Sequence, residues 1–153
     1  MQPRINHASV SEGAMRAMYG LEVYLKECGL EQPLLELIKL RASQINGCAY
    51  CIDMHTKDAR ARGETEQRLY LLDAWREAPF YSERERAALE WTEAVTLVTQ
   101  GHVSDEVFER VRAHFTEKEL ADLTLAVVAI NGWNRLNISF RTPAGSYKAA
   151  HSQ

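Results

Sequence analysis

Long apolar runs are absent from this sequence. A helix that crosses a bilayer needs about 20 consecutive, mostly apolar residues, and no stretch of the 153 residues approaches that length. The first residues, MQPRINHASVSEG, also lack the apolar centre of a secretory signal peptide. We therefore expect a cytoplasmic protein with no membrane partner.

The net charge of the sequence is also small. Its 18 basic and 21 acidic residues give a formal charge of -3, and no basic cluster stands out among them. Electrostatics therefore gives no reason to expect nucleic acid or an anionic membrane as a partner. Hydrophobic residues make up 46% and charged residues 25% of the chain, a balance typical of a folded domain. A chain of this length fits one domain, which we place at 1–153.

Cysteine is scarce, and its arrangement is informative. Three cysteines are too few for a disulfide framework, and the cytoplasm keeps thiols reduced. Cys48 and Cys51 form a CxxC pair, which in a reducing compartment indicates catalysis or metal binding. Cys28 lies near the end of a predicted helix and is interpreted as a packing residue.

Helix signals run along the chain, and strand signals are weak. Two Ser/Thr-x-x-Glu capping boxes, starting at Ser82 and Thr116, mark helix starts. The string LTLAVVAI could form a buried strand, but apolar residues at 120, 123, 127 and 130 favour a helix. We predict an all-α, single-domain helical bundle. The predicted helices span residues 10–28, 34–45, 48–62, 65–75, 82 to about 101, 104–115 and 116–140.

One segment concentrates the reactive side chains. The run ELIKLRASQINGCAYCIDMH places Glu36, Cys48, Cys51 and His55 in the spacing Glu-x11-Cys-x2-Cys-x3-His. The Asn-Gly pair before the first cysteine indicates the turn of a helical hairpin, whose arms run antiparallel. The carboxylate should then lie near the level of residues 55–58, while the two thiols and the imidazole share one face of the second helix.

Either thiol can be argued to be the nucleophile from the residues alone. Cys48 falls in the first turn of its helix, where unpaired N–H groups and the helix dipole lower the pKa of a thiol. Cys51 lies one turn before His55, which can accept its proton directly or through water. The spacing leaves this choice open.

Less specific interpretations use the same side chains. The two cysteines could be inert packing residues, or two thiolates, an imidazole and a carboxylate could bind zinc. Glu36 could pair with Lys39, three residues on. Asp58 has Arg62 at i+4 as a surface partner and is left outside the predicted site. Structural zinc sites usually take their ligands from two separated pairs, which disfavours the metal.

Two consecutive segments resemble the alkylhydroperoxidase AhpD family, also called the carboxymuconolactone decarboxylase-like family. They are LIKLRASQINGCAYCIDMHTKDARARGE and RLYLLDAWREAPFYSERERAALEWTEAV. The similarity extends over almost the whole chain, and the Glu-x11-CxxC-x3-His spacing is specific. The resemblance implies an all-helical fold and assembly as a homo-trimer or homo-hexamer. It also implies peroxide reduction by the CxxC pair, with no metal and no other cofactor.

Carried over by position, the resemblance gives each residue a role. Cys51 attacks the hydroperoxide, Cys48 resolves the sulfenic acid, and His55 and Glu36 form a water-assisted proton relay. An external dithiol, lipoyl-bearing or thioredoxin-like, then reduces the disulfide. Tyr50 departs from the pattern, because the better-known peroxidases have a His directly before the second cysteine. A phenol is not a base near neutral pH, so that assistance is missing or replaced by a hydrogen bond from the hydroxyl.

Two alternative functions use the same residues. A carboxymuconolactone decarboxylase-like lyase would use Glu36 and His55 as acid and base, with the cysteines incidental. A non-catalytic redox sensor or zinc-binding assembly module would use the thiols without turnover. The CxxC pair favours the peroxide reductase, because the decarboxylase branch implied by the resemblance does not depend on it.

Overall fold

The computed structural model describes residues 2–149, and this part of the chain is helical with no strand. The helices are α1 His7–Val10, α2 Glu12–Glu27, α3 Gln32–Asn46, α4 Ala49–Ala61, α5 Glu66–Tyr70, α6 Glu83–Thr96, α7 Val98–Gly101, α8 Asp105–Arg112 and α9 Glu117–Phe140. A single 3₁₀ turn, Leu72–Ala74, follows α5. The predicted all-α class is confirmed. Within residues 2–149, no helix is both long enough and apolar enough to cross a membrane.

Local signals fix where the principal helices begin and end. In both predicted capping boxes the cap hydroxyl accepts from the backbone of the third helical residue, whose carboxylate accepts from the cap N–H. Ser82 starts α6 and Thr116 starts α9 in this way. Gly47 ends α3 at a φ of 68°, a left-handed conformation that glycine adopts without strain. This turn reverses the chain into α4.

Helix α3 lies at the centre of the fold. It packs against α4, α6 and α9, and eight of its fifteen residues are buried. One apolar cluster joins it to α2, α6, α8 and α9, and a second joins it to α4, α6 and the segment 69–81. The predicted apolar positions 120, 123, 127 and 130 of α9 are all buried. Because α3 has little solvent-facing surface, Glu36 is held in the interior, where an unpaired carboxylate would be costly.

Three of the predicted helices are interrupted. The helix expected over 10–28 starts at Glu12, because Ser11 leaves the helical conformation while its carbonyl accepts the first bond of α2. The helix expected over 65–75 gives way to the 3₁₀ turn, and the one expected to reach about 101 breaks at Leu97. All three breaks lie outside the CxxC hairpin.

Candidate active site

The α3–α4 hairpin brings the predicted site residues together. Cys48 is the N-cap of α4, and its N–H donates to the Ser43 carbonyl at 3.0 Å. The antiparallel arms place Glu36 opposite His55, with Glu36 Oε2 2.9 Å from His55 Nδ1. Cys51 lies one turn before His55 on α4, and both side chains are buried. The predicted juxtaposition of carboxylate, imidazole and thiol is therefore present.

Glu36 and His55 form a buried acid–base pair. Burial alone would raise the pKa of the Glu36 carboxyl, but the hydrogen bond from His55 and the charges of Lys39 and Arg62 lower it. An ionised carboxylate only accepts, so the hydrogen of this bond lies on Nδ1, and in the neutral imidazole the lone pair is then on Nε2. Nε2 is buried and bonds to no group within residues 2–149. His55 can therefore accept a proton at Nε2.

Two of the ion pairs expected near the motif are replaced by others. Lys39 pairs with Glu22 at 2.6 Å and not with Glu36. Arg62, the C-cap residue of α4, donates to Glu36 Oε1 at 2.5 Å and not to Asp58. A guanidinium stabilises the buried Glu36 carboxylate more than it would stabilise a solvated carboxylate, because Glu36 has lost its contact with water. Arg62 thus holds Glu36 as an anion beneath the imidazole.

Asp58 lies next to this pair, although it was left outside the predicted site. One oxygen of Asp58, one of Glu36 and a ring nitrogen of His55 lie within 4.8 Å of one another. Asp58 already accepts from the Tyr147 hydroxyl at 2.8 and 3.0 Å, and a cation here would compete with Arg62. Within the described part of the chain the thiols do not join such a group, so the four-ligand zinc arrangement is not formed.

The two sulfurs differ in access and in charge. Both cysteines are 1% exposed, but Cys51 lines a cavity and Cys48 does not. A hydrogen bond from the Cys51 thiol lowers the pKa of Cys48 to about 7 despite burial, helped by the N–H groups of Cys51 and Tyr50 and by the Asn134 amide. The same thiol–thiol bond, together with burial, raises the pKa of Cys51. The interaction between the two thiols therefore favours ionisation of Cys48 over ionisation of Cys51.

Two buried asparagines of α9 belong to the surroundings of the CxxC pair, and the spacing of the motif does not predict them there. Asn137 Nδ2 lies 3.6 Å from Cys51 Sγ. Asn134 is fully buried, donates to Ser43 Oγ at 3.0 Å and accepts from Asn46 at 2.8 Å. The sequence signal was the presence of amides inside an otherwise apolar helix, since buried polar groups need partners.

A cavity of about 630 Å³ opens onto Cys51 and His55. Its size falls in the range of about 300–1,000 Å³ found for small-molecule sites. The N-terminal segment forms one wall, because the Arg4 N–H donates to the Phe140 carbonyl at 3.0 Å and His7 stacks on the Phe140 ring. Apolar and aromatic side chains lining the cavity include Ile5, Met15, Tyr19, Leu25, Leu35, Met54, Trp133 and Phe140.

Tyr50 and Cys28 complete the residues that the sequence singled out. Tyr50 lines the cavity, and its partial burial raises the pKa of its phenol. Its hydroxyl is thus protonated near neutral pH and can donate a hydrogen bond but cannot act as a base. Cys28 lies apart from the hairpin, donates to the Leu25 carbonyl at 3.2 Å and packs against the first core cluster, as a packing residue should.

Comparison with known sequences finds two bacterial relatives and a family. The sequence model of the carboxymuconolactone decarboxylase family matches residues 12–94. The uncharacterized protein YdfG of Bacillus subtilis (strain 168) is 47% identical over 146 residues, which cover 95% of this chain and 99% of that protein. The uncharacterized protein YnjA of Escherichia coli (strain K12) is 31% identical over 119 residues, covering 78% of this chain and 65% of that protein.

Solved structures agree with the sequence comparison. An Agrobacterium tumefaciens protein of unknown function, described as a putative antioxidant defence protein AhpD, has a TM-score of 0.92 and 46% identity, with 95% of this chain and 100% of that chain covered. A peroxidase-related protein from Silicibacter sp. TM1040 shares the fold, with a TM-score of 0.76 and 23% identity over 86% of this chain and 70% of that chain. By sequence and by its AhpD-like fold, the chain belongs to the carboxymuconolactone decarboxylase family.

Proposed function

We propose that this protein is a thiol-dependent peroxide reductase that cycles Cys48 and Cys51 between dithiol and disulfide. Its family and fold support a peroxidase-related or carboxymuconolactone decarboxylase-like function in general terms. The observation that carries the finer proposal is the position of Cys51. This thiol lies on the cavity wall, three residues after the second thiol and one helical turn before His55, whose Nε2 has no partner within residues 2–149.

The first chemical step uses the acid–base pair. Through a bridging water, Nε2 of His55 accepts the proton of Cys51, and the Glu36 carboxylate stabilises the imidazolium that results. The Cys51 thiolate attacks the terminal oxygen of the hydroperoxide, so that an S–O bond forms as the O–O bond breaks. The alkoxide that leaves takes the proton from His55 and becomes an alcohol. Cys51 is now a sulfenic acid, and His55 has returned to its starting form.

The second step forms the disulfide. The pKa of about 7 lets Cys48 supply a thiolate near neutral pH. This thiolate attacks the Cys51 sulfur, the S–S bond forms as the S–O bond breaks, and the hydroxide that leaves takes from solvent the proton that Cys48 released on ionisation. In total, one hydroperoxide gains two electrons and two thiols lose them. Trapping by Cys48 also protects the sulfenic acid from further oxidation.

A third step must return the pair to the dithiol. We propose an external dithiol, lipoyl-bearing or thioredoxin-like, as the reductant. A thiolate entering the cavity reaches the Cys51 sulfur, because Cys51 and not Cys48 lines it. Cys48 is then the leaving group, and thiols with a low pKa leave faster. The second thiol of the reductant attacks the mixed disulfide that results, so that Cys51 is released and the reductant becomes a disulfide. The low pKa of Cys48 therefore makes it an attacking thiolate when the disulfide forms and a good leaving group when the disulfide is reduced.

The cavity favours an organic hydroperoxide over hydrogen peroxide. A volume of about 630 Å³ is far larger than two oxygen atoms require, and aromatic side chains such as Tyr19 and Trp133 line it. Burying an alkyl or aryl group against such walls contributes binding free energy in proportion to the apolar area covered. The peroxide group would then be held at Cys51.

Counting free thiols tests the proposal. Reduced protein, given one equivalent of cumene hydroperoxide without reductant, should lose two of its three thiols, with Cys28 retained. Peptide mapping should place the disulfide between Cys48 and Cys51, and dithiothreitol should restore both thiols. Cys51→Ser is the control and should consume no peroxide. Three thiols surviving in the treated wild type would contradict the proposal.

A lyase of the carboxymuconolactone decarboxylase type is the second candidate. One observation favours it, because Glu36 and His55 form an acid–base pair on the cavity without any contribution from a sulfur. Such an enzyme would bind its lactone acid in the same cavity. Decarboxylation of carboxymuconolactone that survives Cys51→Ser, with no loss of thiols on exposure to peroxide, would establish this function in place of the first.

A further inference from the structure

Asn137 presents a fixed hydrogen-bond donor to the Cys51 sulfur. It lies in the last turn of α9, lines the cavity and is 7% exposed. Its Nδ2 carries two hydrogens. One donates to the Trp133 carbonyl at 2.9 Å, and the other is directed at Cys51 Sγ, 3.6 Å away. Because the carbonyl belongs to the same helix, the backbone itself sets the direction of the second hydrogen.

A donor in this position acts most strongly when the sulfur carries negative charge. Hydrogen bonds to ionised acceptors are roughly twice as strong as those between neutral groups. In the proposed cycle Cys51 is a neutral thiol at rest and becomes a thiolate when His55 removes its proton. An interaction that strengthens during this change lowers the barrier, whereas one of constant strength does not.

We propose that Asn137 is a catalytic residue, whose side-chain amide donates a hydrogen bond to Cys51 and stabilises the sulfur as the attacking thiolate. The inference rests on the peroxide reductase function proposed above. It adds a preorganised donor from α9 to the four residues of the motif. The donor also explains how a sulfur that is 1% exposed can hold a charge without water beside it.

The neighbouring amide supports this reading. Asn134, one turn earlier on α9, donates to Ser43 and accepts from Asn46, and these bonds fix the orientation of its amide. Its amide lowers the pKa of Cys48, and both amides lower that of Cys51 against the stronger opposing effect of the thiol–thiol bond. Helix α9 therefore supplies donors to both positions of the redox pair.

Asn131 provides a matched control on the same helix. Its Nδ2 also donates to the carbonyl four residues earlier, Val127, at 2.9 Å. Its second hydrogen goes to Thr96 Oγ1 at 3.0 Å and not to a sulfur. Asn131→Leu therefore removes the same kind of side chain from the same helix. Any effect confined to Asn137→Leu arises from the bond to Cys51.

The test measures the pKa of Cys51 in a Cys48→Ser background, where the thiol–thiol bond is gone. The pH dependence of the rate of alkylation by iodoacetamide reports the thiolate. Asn137→Leu should raise this pKa by about one pH unit, equivalent to about 1.4 kcal/mol, the size of one typical hydrogen bond. At pH 7 alkylation should slow by about threefold, because higher basicity offsets part of the lost thiolate. Asn131→Leu should leave the pKa unchanged.

Two further measurements test the proposal if Asn137→Leu does not fold. Asn137→Asp keeps the side-chain size and replaces the donor with an acceptor, so it should also raise the pKa of Cys51. In the Cys48→Ser protein with Asn137 intact, the side-chain amide resonance of Asn137 should titrate with Cys51, and that of Asn131 should not. An unchanged pKa in either folded variant, or an Asn137 resonance that ignores the titration, would overturn the proposal.

The readout also separates this inference from the proposed function. Alkylation reports the thiolate whether or not the protein reduces peroxide. If the wild type consumes no peroxide but Asn137→Leu still raises the pKa of Cys51, the donor role stands and the peroxide reductase is wrong. If peroxide is consumed and the pKa does not move, the reductase stands and the role of Asn137 is wrong.

Discussion

Replacing Glu36 with glutamine tests the acid–base half of the site and leaves both thiols in place. The carboxylate accepts from Arg62 at 2.5 Å and from His55 Nδ1 at 2.9 Å, and the residue is 6% exposed. A glutamine oxygen can keep one of these bonds, but its NH2 group then faces the other donor. The variant therefore loses the anion that orients the imidazole and stabilises its protonated form.

The expected loss of stability follows from these two bonds. Hydrogen bonds to charged groups contribute about 1.5–3 kcal/mol, and an unsatisfied buried donor costs about 1–3 kcal/mol. The Arg62 side chain is 43% exposed, so water weakens the contribution of its ion pair with Glu36 to stability. We expect Glu36→Gln to lower the free energy of unfolding by about 1–3 kcal/mol at pH 7.

The pH dependence of this loss has a definite sign. Since folding lowers the pKa of Glu36, the carboxylate contributes fully above its unfolded pKa of about 4.3. That contribution disappears as the pH falls through the lower folded pKa. The difference between wild type and Glu36→Gln, measured by urea denaturation, should therefore narrow below about pH 4.

Glu36→Gln should also slow peroxide reduction. General acid–base catalysis typically contributes about 10²–10⁴-fold, and because His55 remains we expect the lower end, about 10²-fold. Stopped-flow measurement of a single turnover at pH 7 reports this rate without the external reductant. Glu22→Gln is the matched control, because Glu22 lines the same cavity and pairs with Lys39 at 2.6 Å without touching His55. A wild-type rate in folded Glu36→Gln would refute the relay.

Four further predictions follow from the site and the fold. Cys48→Ser should leave a sulfenic acid on Cys51 that dimedone traps, whereas Cys51→Ser should abolish labelling and peroxide consumption; labelling and activity that persist in Cys51→Ser would reverse the two roles. Because the pKa of Cys48 is lowered to about 7, the ultraviolet absorbance of thiolate in the reduced wild type should rise as the pH passes about 7, and this step should be lost in Cys48→Ser; a rise only near 8.5, the value of a free thiol, would contradict this. Tyr50→His should leave the circular dichroism spectrum intact and raise kcat/KM for hydroperoxide; an unchanged kcat/KM would mean that a base at this position gives no help. Light scattering at micromolar concentration should show a trimer or hexamer, since Val128 and Ile138 of α9 are 52% and 45% exposed in one chain, and a monomer would contradict the assembly.

Short-range rules account for the half of the site that lies within one hairpin. The helix period puts Cys51 and His55 on one face of α4, and the left-handed turn at Gly47 reverses the chain so that Glu36 meets His55. These side chains are separated by at most 19 residues in the sequence. Spacing, capping boxes and a turn glycine therefore predicted the all-α class and the hairpin, whereas three helix breaks were missed and Glu36 entered the predicted site through the family resemblance.

Long-range packing decides the remaining contacts of the site, and these contacts cannot be predicted from the spacing of residues in the sequence. Asn137 reaches Cys51 from 86 residues away, and Tyr147 reaches Asp58 from 89 residues away. Arg62 lies within reach of both Asp58 and Glu36, and pairs with Glu36, the buried carboxylate that has no water to solvate it. The pKa values of the two thiols depend first on the interaction between the thiols themselves, and burial and the amides of α9 then modify them. Periodicity fixes the face on which a side chain lies, but the packing of remote helices decides what that face meets.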